Sequence, residues 1–456
     1  MEISSLMPNI LTKLVNQADN LRQLELKPGS IVSATVTELD GNAYAMLEIE
    51  GVKLRAIVDA NLNAGDQVNL LVTGNVRQGA MELKLISASQ GSDETQNIDV
   101  NALLKSLNLP ANPAVKTLVT ELLHHGTPFS AAEIAQGKAI MQTFPGDATI
   151  VVLSKMLELG IPLDTATFQA IDTLEHAPPL DVLLLSLKNE LTNALQQLPD
   201  APQQAASAAT PAYLPQLLQV VNLLLAETPT TAAITSNITA NINLLGVNYE
   251  QELAQVLQTL GNGHADVSEL ATKLRLTTSM SLKPLLLQLK ANAAQLEHAG
   301  LAKLTQAADT ILHQLTAQQL ITQAVQAKVG NAYRFFCIPL TAPNQAQTLQ
   351  LQILSRHGGK RQKIDPWNCY ILLHLALSKL GNLDIHMNVI DKTIGIRVVA
   401  ERPTEISALD EAGLRASLQT AGYTLGTLSV EAHPVGTLRN SLLPPVVKAG
   451  TFDAKI

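Results

Sequence analysis

Histidine and cysteine are the side chains of this sequence most able to hold a metal ion, and their spacing argues against a metal site. The sequence has ten histidines and two cysteines. His124 and His125 are adjacent, so on a helix they point to different faces, whereas a metal-binding helix presents two histidines four residues apart. Neither Cys-x-x-Cys nor His-Glu-x-x-His occurs. We therefore expect no metal site.

Other kinds of chemistry also lack the residues they need. The sequence contains no glycine-rich phosphate-binding motif and no Gly-x-Ser-x-Gly nucleophile motif, and its acidic residues are scattered rather than paired. Cys337 and Cys369 could form one disulfide, but two buried thiols are the favoured interpretation. We expect a protein that is not an enzyme, with no catalytic residues and no cofactor.

A short basic segment, residues 356–363, is the one charged cluster with a possible function. A solvated hairpin tip would account for it. The alternative is an electrostatic docking patch for an acidic partner. In that case the binding side chains would be Lys360, Arg361 and Lys363.

The totals indicate several domains and disfavour nucleic-acid binding. A chain of 456 residues with a net charge of −8 is long enough for two to four folded units and repels phosphates overall. From Asn331 onward, Lys and Arg number 13 against 9 Asp and Glu, and seven of the thirteen aromatic residues lie there. Both shifts predict a domain boundary near Gly330.

The N-terminal region is predicted to be a short amphipathic leader (1–25) followed by a small β barrel (26–87). Alternating apolar and polar residues in runs of five to seven predict about five strands, and such strands suit a small barrel. The runs are residues 32–36, 45–49, 52–58, 68–72 and 81–85. Tyr44 is the only aromatic residue there, so stacking of bases is disfavoured and a structural or protein-binding use is expected.

The middle of the chain is predicted to be helical, with a repeat region (101–198), a linker (199–212) and a second helical region (213–329). In the repeats, Gly126 and Gly160 can end helices in the left-handed conformation, and Ser130 and Asp164 can cap the next ones. Residues 213–226 predict a buried amphipathic helix, and the Thr-rich residues 228–239 could be a loop. Neither a secretory signal nor a membrane-spanning run is visible.

The C-terminal region, residues 331–433, has the clearest pattern, and a tail without periodicity follows at 434–456. Strand patterns precede a tight turn at Asp391-Lys392 and a further strand. The period then changes to that of a helix, which Thr404 can cap and Gly422 can end, with Ile406, Leu409, Leu414, Leu418 and Ala421 at its buried positions. A last strand completes the pattern. The expected fold class is multidomain, with an N-terminal barrel, a helical array and an α+β domain whose sheet is mainly antiparallel.

This end of the chain resembles the C-terminal domain of the flagellar hook-length control proteins. A strand motif of the form Leu-Gly-x-Val-x-Val is similar to Leu380, Gly381, Leu383 and Ile385 here. Residues 394–400, 409–418 and 421–430 look like the family's next strand, its helix and its closing strand. Residues 363–366, the stretch 26–32 and the Gly-x-Pro helical units are similar to longer versions of the family from Gram-positive-type bacteria.

The resemblance implies a role in recognition rather than catalysis. Such a protein leaves the cytoplasm through the flagellar type III export apparatus and reaches the extracellular space. Its C-terminal domain would contact the cytoplasmic domain of the export switch protein and change the cargo from hook to filament subunits, with the residues named above as candidate contacts. Its N-terminal region would contact hook and hook-cap subunits. The alternative is an intracellular scaffold or adaptor that is not secreted, and neither reading involves membrane insertion or nucleic acid.

Overall fold

The computed structural model describes fifteen stretches of the chain, which form two compact units. The first unit contains the described residues up to 172 with 323–331, and the second contains those from 173 to 322 and from 332 to 432. Each unit has its own core. The described residues are 29–40, 44–49, 52–58, 62–77, 80–89, 100–197, 213–227, 231–250, 253–254, 258, 281–342, 345–355, 363–377, 381–402 and 411–432.

The first unit begins with a closed five-stranded barrel, as the alternating runs predict. Its strands are β1 (Ser30–Asp40), β2 (Tyr44–Ile49), β3 (Val52–Val58), β4 (Gln67–Arg77) and β5 (Ala80–Ser89). The order is β2-β3-β5-β4-β1, and β1 also pairs with β2, which closes the ring. The inward positions of the alternating runs form one buried apolar cluster, which includes Val32, Leu47, Leu54, Leu70 and Leu83.

Helices follow the barrel, and their ends confirm the capping residues predicted from the sequence. They are α1 (Val100–Ser106), α2 (Pro113–His124), α3 (Ala131–Thr143) and α4 (Asp147–Leu159), with a two-residue strand β6 (Phe129–Ser130) that pairs with the start of β1. Ser130 and Glu133 form a reciprocal capping box at the start of α3. Gly126 and Gly160 have φ of +63° and +72°.

The next helices are α5 (Thr165–His176), α6 (Leu180–Gln197), α7 (Tyr213–Leu224), α8 (Thr231–Leu245), α9 (Leu282–Ala291), α10 (Ala293–His298) and α11 (Ala302–Val329). The Asp164 carboxylate caps α5 by accepting from the N–H groups of residues 166 and 167, both at 3.0 Å. Helix α7 buries Leu217 and Val221 and exposes Gln216, as its amphipathic pattern predicts. The loop prediction for 228–239 is wrong from Thr231 onward, because α8 begins there despite its threonines.

The second unit contains a six-stranded sheet, which makes the C-terminal end α+β. Its strands are β7 (Tyr333–Ala342), β8 (Gln345–Ser355), β9 (Cys369–Leu377), β10 (Gly381–Ile390), β11 (Thr393–Ala400) and β12 (Thr424–Ala432), with α12 (Glu411–Thr420) before the last. The order is β12-β11-β10-β9-β8-β7. All neighbours are antiparallel except β11 and β12, which are parallel. The fold class is therefore the multidomain one expected.

One face of this sheet carries the core under α12, and the other becomes polar toward β12. The core face includes Leu383, Ile394, Ile396 and Val398, with Leu414 and Leu418 of α12 packed against it. Ala421 is exposed, so its predicted burial is wrong; it lies in the turn after the helix ends. Gly422 has φ of +84°, as expected for a residue that ends a helix.

Several predicted parts lie outside the described residues. They are the leader (1–25), the linker (199–212), the tail (434–456) and the predicted helix positions Thr404, Ile406 and Leu409. The division into units falls inside the predicted repeat region 101–198. The domain limits predicted from the sequence therefore stay predictions.

Candidate interaction surface

The candidate contact residues near β10 divide between the core and the surface. Leu383 is 7% exposed and belongs to the core of the sheet. Ile385 is partly buried and packs against the same core. Because side chains alternate along a strand, these two lie on the α12 side. Their side chains stabilise the sheet beneath a binding surface, and direct contacts with a partner must come from neighbouring residues.

The basic patch is described only at its end. Lys360 and Arg361 lie outside the described residues, as does Leu380. Lys363 is described, and its side chain is exposed. The docking interpretation of this segment therefore stays a prediction.

Gly381 begins β10 in a conformation that other residues rarely adopt. Its φ is +73°, and a Cβ atom there would collide with the Glu401 side chain. The Glu401 carboxylate accepts from the backbone N–H of Asn382 at 3.1 Å and from its side-chain amide at 2.7 Å. The backbone hydrogen bond from Asn382 lowers the pKa of Glu401. The glycine thus lets a carboxylate clamp the end of the β10–β11 hairpin.

An aromatic and basic cluster lies at the opposite end of that hairpin. Trp367, the only tryptophan in the chain, is exposed and lies beside Tyr423, with ring centroids 5.3 Å apart. The Lys392 ammonium lies 4.4 Å from the centroid of the Trp367 ring. The Tyr423 hydroxyl donates to the Pro366 carbonyl at 3.2 Å. Exposed aromatic side chains held in this way are typical of binding hot spots.

The turn between β10 and β11 positions this cluster. Asp391 and Lys392 have φ of +46° and +70°, which a two-residue hairpin turn of type I′ requires. The Asp391 N–H donates to the Asn368 side-chain oxygen at 3.2 Å. The Lys392 carbonyl accepts from the Thr424 N–H at 2.9 Å. Three segments distant in sequence therefore meet at one turn.

Two histidines lie on the polar face of the sheet, each bound to a side chain of the adjacent strand. His374 Nδ1 lies 2.6 Å from Asp384 Oδ1, and the Tyr370 hydroxyl lies 2.5 Å from His386 Nδ1. Burial lowers the pKa of His386 and raises the pKa of Tyr370. Near neutral pH His386 is therefore uncharged, so that Nδ1 can accept the hydrogen bond from the tyrosine hydroxyl.

The polar face ends in an ion pair between β11 and β12. Arg397 Nε and a terminal nitrogen donate to the two carboxylate oxygens of Glu431 at 2.9 and 2.7 Å. The hydrogen bonds that Arg397 donates to Glu431 raise the pKa of Arg397. This bidentate geometry fixes both side chains at the surface. The face can thus offer charge and hydrogen bonds to a partner.

The barrel presents a mixed surface on its β2–β3 face. The Arg55 guanidinium lies 4.2 Å from the centroid of the Tyr44 ring, so the single aromatic residue of this region already has a cation against its face. Glu48 pairs in register with Lys53 on the neighbouring strand. Opposite charges therefore alternate on this surface. The expectation that it does not bind nucleic acid stays a prediction.

Three chemical features can be reported for the described part of the chain. No group of three or more His, Cys, Asp or Glu side chains there could hold a metal ion. No helix there is both long and apolar enough to span a bilayer. Cys337 and Cys369 are both buried and form no disulfide with each other.

Sequence reasoning missed the aromatic cluster and the paired histidines. His374 and His386 lie on β9 and β10, and their partners depend on the strand register. The register pairs Asp384 with His374 and places His386 opposite Leu372. The Asp391-Lys392 turn was a visible signal for the cluster, whereas the approach of Trp367 to it was not.

Comparison with known proteins gives one match, to the barrel. A family model described as the TP0910 S1-like domain matches residues 9–84. That match covers a minor part of the chain and agrees with the barrel seen in β1 to β5. No curated protein and no solved structure matches the chain significantly.

Proposed function

We propose that this chain is a flagellar hook-length control protein that is exported through the flagellar type III apparatus. In this role the C-terminal domain meets the cytoplasmic domain of the export switch protein. That contact changes the exported cargo from hook to filament subunits. The protein acts by binding and performs no catalysis.

The arrangement of β10, β11, α12 and β12 is the observation that carries the proposal. The segments that resemble the hook-length family begin near Leu380 and run to Val430, in the order strand, strand, helix, strand. In the structure β10 and β11 form a hairpin, α12 crosses over, and β12 pairs parallel to β11. The order of these elements is the order of the segments that resemble the family, which supports the proposal.

Two surfaces of this unit could contact the switch protein. One is the cluster of Trp367, Lys392 and Tyr423, in which ring and cation contacts fix the side chains before a partner binds. The other is the polar face that ends at Arg397 and Glu431. The first lies in the turns before β9, between β10 and β11 and before β12, and the second lies on β11 and β12. The N-terminal barrel is then left for contacts with hook and hook-cap subunits.

Deletion of the gene in its flagellated host tests the proposal. We expect hooks of uncontrolled length that carry no filaments, measured by electron microscopy of isolated hook–basal bodies. Full-length protein should restore hook length and filaments, whereas a chain without residues 381–432 should not restore filaments. Uniform hooks with filaments in the deletion strain would contradict the proposal.

Secretion separates the favoured function from the alternative of an intracellular scaffold. We expect the protein in the culture medium of the wild-type strain, and its loss from the medium in a strain without a working flagellar export apparatus. An immunoblot of cell and medium fractions measures this. Protein found only in the cells would favour the scaffold.

A further inference from the structure

The two histidines on the polar face of the sheet are linked through one carboxylate. His374 Nδ1 lies 2.6 Å from Asp384 Oδ1 across the pairing of β9 with β10, and His386 follows Asp384 by two residues on β10. Side chains two residues apart on a strand point to the same face of the sheet. The negative charge of Asp384 also acts on His386, where it opposes the effect of burial on the pKa. Asp384 therefore interacts with both histidines.

The hydrogen bond between Tyr370 and His386 depends on the charge of the histidine. Tyr370 is 7% exposed, and its hydroxyl lies 2.5 Å from His386 Nδ1. A neutral imidazole can accept a hydrogen bond there, whereas a protonated imidazole carries a proton on both ring nitrogens and can only donate. Burial raises the pKa of Tyr370, so the hydroxyl keeps its proton at neutral and acidic pH. Protonation of His386 therefore takes the acceptor away from a buried hydroxyl.

Charged side chains of three strands surround His386. Asp384 precedes it on β10, Arg397 lies opposite it in the register of β10 with β11, and Glu431 of β12 binds Arg397. Among the described residues, these three and Tyr370 of β9 are the titratable groups that face the histidine. Two carboxylates against one guanidinium leave one negative charge in excess. A proton on His386 cancels that excess and places a second cation beside Arg397.

We infer that the pair of Tyr370 and His386 is a proton-operated switch on the polar face of the sheet. With His386 uncharged, the Tyr370 hydroxyl joins β9 to β10 through a side-chain hydrogen bond. When His386 takes up a proton, that hydroxyl loses its acceptor, and the pair of Arg397 and Glu431 gains a competing cation. Acid thus changes the charge and the hydrogen bonds that the face offers to a partner. This switch does not depend on the proposed function, because it uses contacts within the sheet alone.

Nuclear magnetic resonance of the full-length chain, with isotope-labelled histidine rings, measures the protonation of His386. His386→Gln identifies its signal among those of the ten histidines. We expect a midpoint below about 6.5, the value of an unperturbed histidine. Tyr370→Phe should raise that midpoint by at least half a pH unit, because it removes the hydrogen bond that favours the neutral ring.

Tyr249→Phe is the matched control for the tyrosine variant. Tyr249 lies after α8, outside the sheet, so loss of its hydroxyl should leave the midpoint of His386 unchanged. Circular dichroism should show both variants folded. A midpoint of His386 in folded Tyr370→Phe equal to that of wild type would overturn the inference.

Asp384→Asn tests the link between the two histidines. An asparagine can still bond to His374 but carries no charge, so the midpoint of His386 should fall further, because the charge of Asp384 favours the protonated ring. If the midpoint of His386 does not change in Asp384→Asn, the histidines are not linked through this carboxylate.

Hydrogen exchange of the full-length chain shows whether proton uptake loosens the strands. With rates corrected for the intrinsic effect of pH, amides of β9 and β10 should exchange at least threefold faster at pH 5.0 than at pH 7.5. His386→Gln keeps an acceptor for the Tyr370 hydroxyl but does not titrate, so it should remove most of this difference. His298→Gln is the matched control, since His298 is exposed on α10 and its loss should leave the difference unchanged. The same acceleration in His386→Gln as in wild type would contradict the switch.

Discussion

The N-terminal barrel and the C-terminal sheet differ in how the backbone groups of their outermost strands are paired. Each barrel strand pairs with a strand on both sides, because β1 pairs with both β2 and β4. Among the described residues the C-terminal sheet does not close, and helix side chains bind the backbone of its edge strand β7. Closure gives every barrel strand a neighbour on both sides, whereas the β7 edge of the sheet depends on helix side chains.

Among the tests of this comparison, we expect the largest effect from a cavity made inside the barrel. Leu70 is completely buried inside the ring. We expect Leu70→Ala to lower the free energy of unfolding of the barrel by roughly 2–5 kcal/mol, because burial is lost and a cavity remains. Native-state hydrogen exchange of β1 to β5 in the full-length chain measures this.

The matched control for that variant is Leu39→Ala. Leu39 is on β1 but 47% exposed, so its loss should change stability by less than about 0.5 kcal/mol. If the Leu70 variant also speeds exchange in β7 to β12 to the same degree, the barrel does not unfold independently of the sheet.

A smaller effect is expected from the covered edge of the sheet. Thr322→Val keeps the side-chain shape but removes the acceptor of the Phe335 N–H. We expect a loss of about 1–3 kcal/mol in the stability of β7, since a partly buried donor is left unpaired. Faster exchange of the β7 amides is the measurement.

Thr310→Val on the same helix is the control. Its hydroxyl donates only to the Gln306 carbonyl of its own helix, at 2.9 Å, so no strand depends on it. Unchanged exchange in β7 for Thr322→Val would show that side-chain capping of this edge does not matter.

The smallest effect is a pH dependence confined to the sheet. Burial lowers the pKa of His386 in the folded state, so the unfolded chain takes up that proton first as pH falls below about 6.5. The free energy of unfolding should therefore fall below that pH, until His386 is protonated in the folded state as well. Tyr370, Asp384, Arg397 and Glu431 are the titratable side chains that face this histidine.

The measurement compares wild type with His386→Gln. Urea unfolding between pH 7.5 and 5.5, followed by the fluorescence of Trp367, reports on this sheet. The variant should lose less stability over that range than wild type. Parallel curves for the two proteins would rule out His386 as a source of the pH dependence.

Much of the barrel and of the helix ends could be predicted because they depend on local rules. Alternation of period two placed Leu47 and Leu70 inside the barrel, and Gly160 and Asp164 marked a helix end and the next helix start. The same local reasoning gave a wrong prediction for the Thr-rich stretch. Residues 231–239 of that stretch lie in α8, because one face of this helix packs on other elements. Asn241 of the helix is buried.

The candidate surface was harder to predict from the sequence, since its parts come together only through strand register and packing. The side chains of Trp367, Lys392 and Tyr423 meet, although more than 20 residues of sequence separate each of them from the next. The predicted residues Leu383 and Ile385 were found on the correct strand but face the core. A strand motif identifies an element more reliably than it identifies the side of that element that a partner can reach.

By itself the sequence determined the periods, the turns and the caps, and through them the order of barrel, helices and α+β end. Those features depend on residues within a few positions of one another. Only the tertiary structure decided that the barrel closes, that Gln318, Thr322 and Asn241 cover the edge of β7, and that Val430 lies exposed on the other edge. Such outcomes depend on which strands and helices become neighbours, and contacts between residues far apart in sequence set that arrangement.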